Sequence, residues 1–278
     1  MTLAQIVQRQ DENYRRIKSA SGDVFWREEN YGTTQTAIAP VRALFFAFED
    51  DRSVNLIVPH KLDAPFPRRE PPKDWRKALS AVLVDGEAVY SISQKAGAVK
   101  PVVSVAPFNP AVHQNNPLVA FHPRLLGDER VRLGDLLALS SQMPTRPRVT
   151  QFQKQNELLL RVDFANTSSP GEMLTYIINP NKGYLPQEIA RVSGGRIVAR
   201  TLIIIGKTKD GTWVPARREK TTYDATGKPL TFESWYYWSL AVNEPLGRQE
   251  VSMLFFHLPP DVAIPGVPVS SPPPSKAR

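Results

Sequence analysis

A mainly β (α+β) protein is predicted, built on a single large curved antiparallel sheet. Three observations predict it: apolar residues alternate at period two, turn residues recur at short intervals, and no segment between them has the length or period of a crossover helix. The signal is densest from Leu158 to Ala241. Leu158–Ala165 puts Leu158, Leu160, Val162 and Phe164 on one face, and Leu174–Ile178 closes in Asn179-Pro180-Asn181-Lys182-Gly183. Tyr184–Val192 ends at Ser193-Gly194-Gly195, and Arg196–Ile205 breaks at Gly206 and the Lys209-Asp210-Gly211 turn. Trp213–Asp224 stops at Ala225-Thr226-Gly227-Lys228. Pro229–Ala241 then places Leu230, Phe232, Tyr236, Trp238 and Leu240 on one side.

Upstream, residues 2–18 carry Leu3, Ile6, Val7, Tyr14 and Ile17 at helical spacing, with Thr2 as N-cap and Ser21-Gly22 as the stop. The period becomes two from Asp23. Asp23–Asn30, Thr33–Ala39, Val41–Phe48 and Val54–Val58 read as strands, the last two joined by an Asp50-Asp51 turn. The proline-rich stretch Pro59–Pro72 reads as a loop, and Trp75–Leu79 as one helical turn. Asp85-Gly86 between Ala81–Val84 and Glu87–Ile92 is a hairpin signal. Residues 97–150 read as an irregular insertion or lid, relieved by a short helix within Arg130–Gln142 on Leu133, Leu136, Leu137 and Ser140. Glu250–Leu258 reads as a last strand. Residues 1–268 form one domain, and 269–278 a disordered Pro/Ser-rich tail.

The chain of 278 residues is long enough to bury a substantial core. Its net charge of +8 permits an acidic partner, but the cations are scattered, with pairs such as Arg68-Arg69 and Arg217-Arg218 the densest clusters. No basic stripe interleaved with aromatics points to nucleic acid. Cysteine is absent, which removes disulfides, thiolate metal sites and a cysteine-linked lipid anchor from the chain as given. The N-terminus lacks the pattern of an export signal, which leaves either a cytoplasmic protein or an exported one whose signal has been removed.

Residue patterns for enzymatic chemistry are missing. His60, His113, His122 and His257 are widely spaced, and there is no nucleophile elbow, phosphate-binding loop or dinucleotide fingerprint. Neither Glu28-Glu29 nor Asp50-Asp51 forms an acid/base pair, so no enzyme, cofactor or metal is expected. What remains is apolar surface. Phe46, Phe48, Phe164, Tyr176, Phe232, Tyr236, Trp238 and Phe255 are candidates for the inward side, facing Ile6 and Tyr14 of the first helix. They either fill a plain core or line a hollow suited to an acyl chain, whose burial contributes about 0.8 kcal/mol per methylene.

Four motifs carry a family resemblance. They are Ile6-Val7-Gln8 through Asn13-Tyr14-Arg15-Arg16-Ile17-Lys18-Ser19, Ile178-Asn179-Pro180-Asn181-Lys182-Gly183-Tyr184-Leu185-Pro186, Asp210-Gly211-Thr212-Trp213-Val214-Pro215, and Val242-Asn243-Glu244-Pro245-Leu246. In this order they resemble the periplasmic lipoprotein-carrier (LolA/LolB-like) superfamily, especially its outer-membrane lipoprotein-sorting-like members. The resemblance implies an incomplete β-barrel whose concave side is covered by helices over a hydrophobic cavity. It implies a periplasmic, non-enzymatic protein of the bacterial envelope that binds lipid or an acylated protein. A monomer with transient contact to membrane components is expected. A periplasmic regulatory or protein-interaction module on the same fold is the alternative.

Overall fold

The structure is a computed structural model that describes residues 1–31, 37–38, 42–50, 52–60, 71–109, 133–140, 146–165, 171–247 and 249–265. Helix α1 (Leu3–Tyr14) opens the chain, followed by β1 (Ser19–Asn30), β2 (Ala37–Ile38), β3 (Arg42–Glu49), β4 (Arg52–Pro59), β5 (Ser80–Asp85), β6 (Ala88–Ser93) and β7 (Val102–Pro107). Helix α2 (Leu133–Ser140) precedes β8 (Arg148–Lys154), β9 (Glu157–Ala165), β10 (Glu172–Asn179) and β11 (Leu185–Ser193). Then come β12 (Arg196–Lys207), β13 (Trp213–Tyr223) and β14 (Pro229–Val242). All the strands belong to one antiparallel sheet in the order β7-β6-β5-β4-β3-β1-β14-β13-β12-β11-β10-β9-β8, with β2 attached to β1. The curved sheet does not close; β7 and β8 are its edges.

Each turn follows from its residues. In the β5–β6 hairpin Asp85 pairs with Ala88, so Gly86 and Glu87 are the two central residues and Gly86 takes φ 58°. Thr2 and Gln5 form a reciprocal capping box at the start of α1 (3.3 and 2.8 Å). The helix ends at Tyr14 rather than near residue 18, and Ser21-Gly22 lies inside β1 instead of stopping the helix. Gly22 has a different purpose. A Cβ there would meet the Ser239 carbonyl oxygen at 2.4 Å, so glycine allows β14 to approach beside the register shift between Asp23 and Val24.

The sheet has two wings that meet where β1 pairs with β14. On the inner, concave face, α1 rests over both. Tyr14 and Ile17 join Val24, Trp26, Leu44, Phe46, Phe48 and Trp235 in one core. Leu3, Ile6 and Val7 join Leu160, Val162, Phe164, Tyr176, Ile178, Ile189 and Ile203 in a second. Helix α2 adds Leu133 to this second core, and a side chain at Gly134 would come within 3.6 Å of Val7. The outer face of the N-terminal wing carries a third core. Phe45, Val54, Leu56, Ala81, Leu83, Ile92 and Val103 are covered there by Trp75 and by the segment from Leu246 to Ile264.

Three readings are corrected. The stretch 97–150 is not merely irregular, because it supplies the edge strand β7 and the start of the other edge strand, β8, besides α2. Glu250–Leu258 is not a strand. Its two-sided apolar pattern comes from a 3-10 turn, Met253–Phe256, N-capped by Ser252, that presses Phe255 and Phe256 onto the sheet. The predicted strand Thr33–Ala39 appears only as Ala37–Ile38, its remainder lying outside the described residues, as does the 269–278 tail.

Candidate functional site

The first helix is held by polar groups as well as apolar ones. The buried Asn13 side chain donates to the Trp213 carbonyl (2.8 Å) and accepts from the Trp213 N–H (3.2 Å), while Gln10 donates to the Tyr184 carbonyl (3.2 Å). Gly183 lies against Asn13 with φ 68°, and a Cβ there would stand 2.8 Å from the Asn13 amide. Asn243, in the left-handed region at φ 57°, accepts from the Lys18 N–H (2.8 Å) and donates to the Arg16 carbonyl and to Asp210 (2.7 Å each). Hydrogen bonds from Thr208 and Asn243 hold the Asp210 carboxyl down at about 2. The four sequence motifs thus converge on one clasp that fixes α1 against the ends of β11, β13 and β14. Their role here is structural.

The ten residues expected to line a hollow do not share one face. Ile6, Tyr14, Phe46, Phe48, Phe164 and Tyr176 meet on the inner side, closely packed beneath α1. Phe232 and Tyr236 occupy the opposite face of β14, and Phe255 lies in the outer core stacked on Phe45 at 4.9 Å. Tyr236 is 47% and Trp238 64% exposed. The inward residues of β14 are instead Trp235 and Tyr237. Trp235 packs edge-to-face on Trp26 (6.2 Å), and Tyr237 on Phe46 (5.8 Å). The phenol of Tyr237 has no hydrogen-bond partner among the described residues, and burial pushes its pKa well above the ordinary range. Around the tryptophans, Arg42 lies over Trp26 (4.4 Å) and Arg218 over Trp235 (4.3 Å).

Open space lies on the other side of the sheet. A cavity of about 540 Å³ sits between the outer face of β3, residues 71–75 and the C-terminal segment. Its aromatic wall is Phe45, Trp75, Phe255 and Phe256, with Pro71, Pro72 and Pro259 beside them. Lys73, Gln249, Glu250 and His257 supply its polar groups. The wall is held by the tilted Trp75–Phe256 contact (5.8 Å) and the edge-to-face Phe255–Phe256 contact (5.3 Å). An ion pair between Lys100 and Asp261 ties the covering segment to the loop before β7. The volume falls within the range of about 300–1,000 Å³ typical of small-molecule sites. Of the predicted lining residues only Phe255 reaches this cavity. Trp75 and Phe256 could have been suspected from their place in proline-flanked, non-periodic apolar segments.

Among the described residues, no group of three or more His, Asp or Glu is placed to hold a metal ion, and no helix is long and apolar enough to cross a membrane. No family model matches the sequence, and no curated protein does. Solved structures similar to the chain over nine-tenths of its length include the following three. One is a LolA superfamily protein from Nitrosomonas europaea, at 14% identity, covering 91% of this chain and 98% of that one with a TM-score of 0.46. A DUF1329 family protein from Desulfovibrio piger follows at 10% identity, 90% and 96% coverage, and a TM-score of 0.47. An outer membrane lipoprotein-sorting protein domain from Vibrio parahaemolyticus matches at 10% identity, with 90% and 97% coverage and a TM-score of 0.42.

Proposed function

We propose that the protein is a non-enzymatic binder of a hydrophobic ligand, a lipid or the acyl chain of an acylated protein, acting in the bacterial cell envelope. The observation that supports this reading is the aromatic cavity on the outer face. On the inner face the described residues leave an acyl chain no comparable entry beneath α1, since Ile6 and Ile17 are fully buried and α1 is clasped by Asn13 and Asn243. In the outer cavity an alkyl chain replaces water against Phe45, Trp75, Phe255 and Phe256, each methylene contributing about 0.8 kcal/mol before ordering costs. The envelope setting follows the motif resemblance.

Titration with a fluorescent fatty acid, followed by energy transfer from tryptophan, tests the reading. Saturable one-to-one binding is expected. Gln249→Trp, a change at an exposed position on the cavity rim, should weaken it at least tenfold while leaving the melting midpoint in place. No saturable binding, or equal binding by the variant, would count against the outer cavity.

The second reading, a regulatory or protein-interaction module, is favoured by a different observation. Ile204 and Tyr236 flank Arg217 on the outer face of β12–β14, and both are exposed. Partner binding there should be lost in Tyr236→Ala and be unaffected by Gln249→Trp.

A further inference from the structure

Beyond the helix-covered part of the inner face, β11, β12 and β13 enclose a small cavity of about 90 Å³ lined by Ile189, Arg191, Ala199, Thr201, Lys220 and Thr222. The register explains the grouping. Ile189 pairs with Thr201 and Thr201 with Lys220; Arg191 pairs with Ala199 and Ala199 with Thr222. Two rows of three side chains therefore project from one face of adjacent strands. We propose that this cavity is a binding site for a tetrahedral oxyanion, a phosphate group either free or carried as a lipid headgroup.

The chemistry of the lining points that way. A guanidinium and an ammonium supply charge, and the Thr222 hydroxyl, 2.6 Å from that of Thr231, can accept from it and keep its own proton for an anionic oxygen. Thr201 is 1% exposed, so its hydroxyl forms part of the floor of the cavity. Alanine at position 199 keeps the space open, because a longer side chain there would fill it. Arg191 is exposed and has no ion-pair partner among the described residues. The adjoining inner row adds Arg218, two residues from Lys220 on β13. Opposing charge comes from Glu233, the cross-strand neighbour of Lys220, and from Glu28 beyond it. Arg42 pairs with Glu28 at 3.6 Å, and Glu172 lies on the same face of β10 as Leu174, the partner of Arg191; Arg191, Arg218 and Lys220 therefore face Glu233 and Glu172, which leaves this end of the inner face positive. A volume of about 90 Å³ admits a phosphate group and excludes an alkyl chain. The inference is therefore independent of where an apolar ligand binds.

The test uses the full chain, isotopically labelled and titrated at low ionic strength with inorganic phosphate. In parallel it is titrated with a monoacyl lipid phosphate below its micellar concentration and with the matching neutral monoacylglycerol. The expected result is saturable movement of the Thr201 and Thr222 amide signals with the phosphate-bearing ligands and none with the neutral one. Arg191→Gln should raise Kd at least tenfold, and Lys220→Gln should do so independently. Movement with both phosphate ligands identifies a site for free anions. Movement with the lipid phosphate alone, still lost in Arg191→Gln, identifies a headgroup site. No saturable movement with either ligand overturns the proposal, as does binding that neither variant weakens.

Discussion

The two wings of the sheet are built from the same antiparallel pairing and yet bury their strands differently. In the N-terminal wing, β3 is buried at six consecutive positions, Ala43 to Phe48, because α1 and its core cover one face while Trp75 and the C-terminal segment cover the other. In the C-terminal wing the inner face is packed under α1 and α2, but the outer face meets water, so β12 alternates between buried Thr201 and Ile203 and exposed Leu202 and Ile204. An antiparallel strand that is apolar at every position therefore announces a cover on both sides. One that alternates needs only one cover. Placing the C-terminal segment over the first wing also creates the 540 Å³ cavity; among the described residues no such segment covers the outer face of the second wing.

The contrast predicts unequal costs for outer-face truncations. Phe256→Ala in the covered wing should destabilise by about 3–5 kcal/mol, because a fully buried ring is deleted from a packed layer. Its melting midpoint should fall by about 10 °C. Ile204→Ala on the open wing should cost less than about 1 kcal/mol. Equal losses would dissolve the distinction between the wings.

Next in size is the clasp that joins them. Asn13→Ala leaves both polar groups of the Trp213 backbone without their partner and should cost about 2–3 kcal/mol. Asn243→Gly keeps the left-handed backbone accessible and removes only the side-chain bonds, so it should cost about 1–2 kcal/mol. Chemical denaturation of the two variants checks the order.

A smaller effect comes from Asp210. Its carboxyl titrates at about 2 in the folded chain, below the ordinary value of 3.8. Its contribution is therefore fully present above about pH 4 and is lost as pH falls toward 2. Asp210→Asn should be less stable than the parent at pH 7, and the gap should close on acidification through that window. A gap that stays constant down to pH 2 would show that the carboxylate charge is irrelevant to the clasp.

Much of this architecture was readable because local pattern and tertiary position agree. The strands from β9 to β14 follow period-two runs ended by Asn, Asp and Gly turns, and α1 follows its apolar stripe and its Thr2 cap. The failures have physical causes. Strand β14 is aromatic at Trp235, Tyr236, Tyr237 and Trp238 in succession, so alternation carries no phase; the structure buries Trp235 and packs the partly buried Tyr237 against the same inner core. Gly22 resembled a helix stop, but its small size serves a close approach to Ser239. Strand β7 contains Val102 and Val105 on an edge, where exposure removes the polar alternation that marks a half-buried strand. The outer cavity was least legible, since it joins residues near position 75 to others near 255 through a segment without regular period.

Binding of an apolar ligand outside the sheet, with the part of the inner face beneath α1 staying closed, is checked with a spin-labelled fatty acid. The protein, labelled at isoleucine, leucine and valine methyls, is titrated with stearate bearing a nitroxide near its methyl end. Selective broadening is expected at Leu246, Val251 and Leu258, which pack in the outer layer around the cavity. Broadening of Ile6, Ile178 and Ile203 instead would place the chain beneath α1 and contradict it.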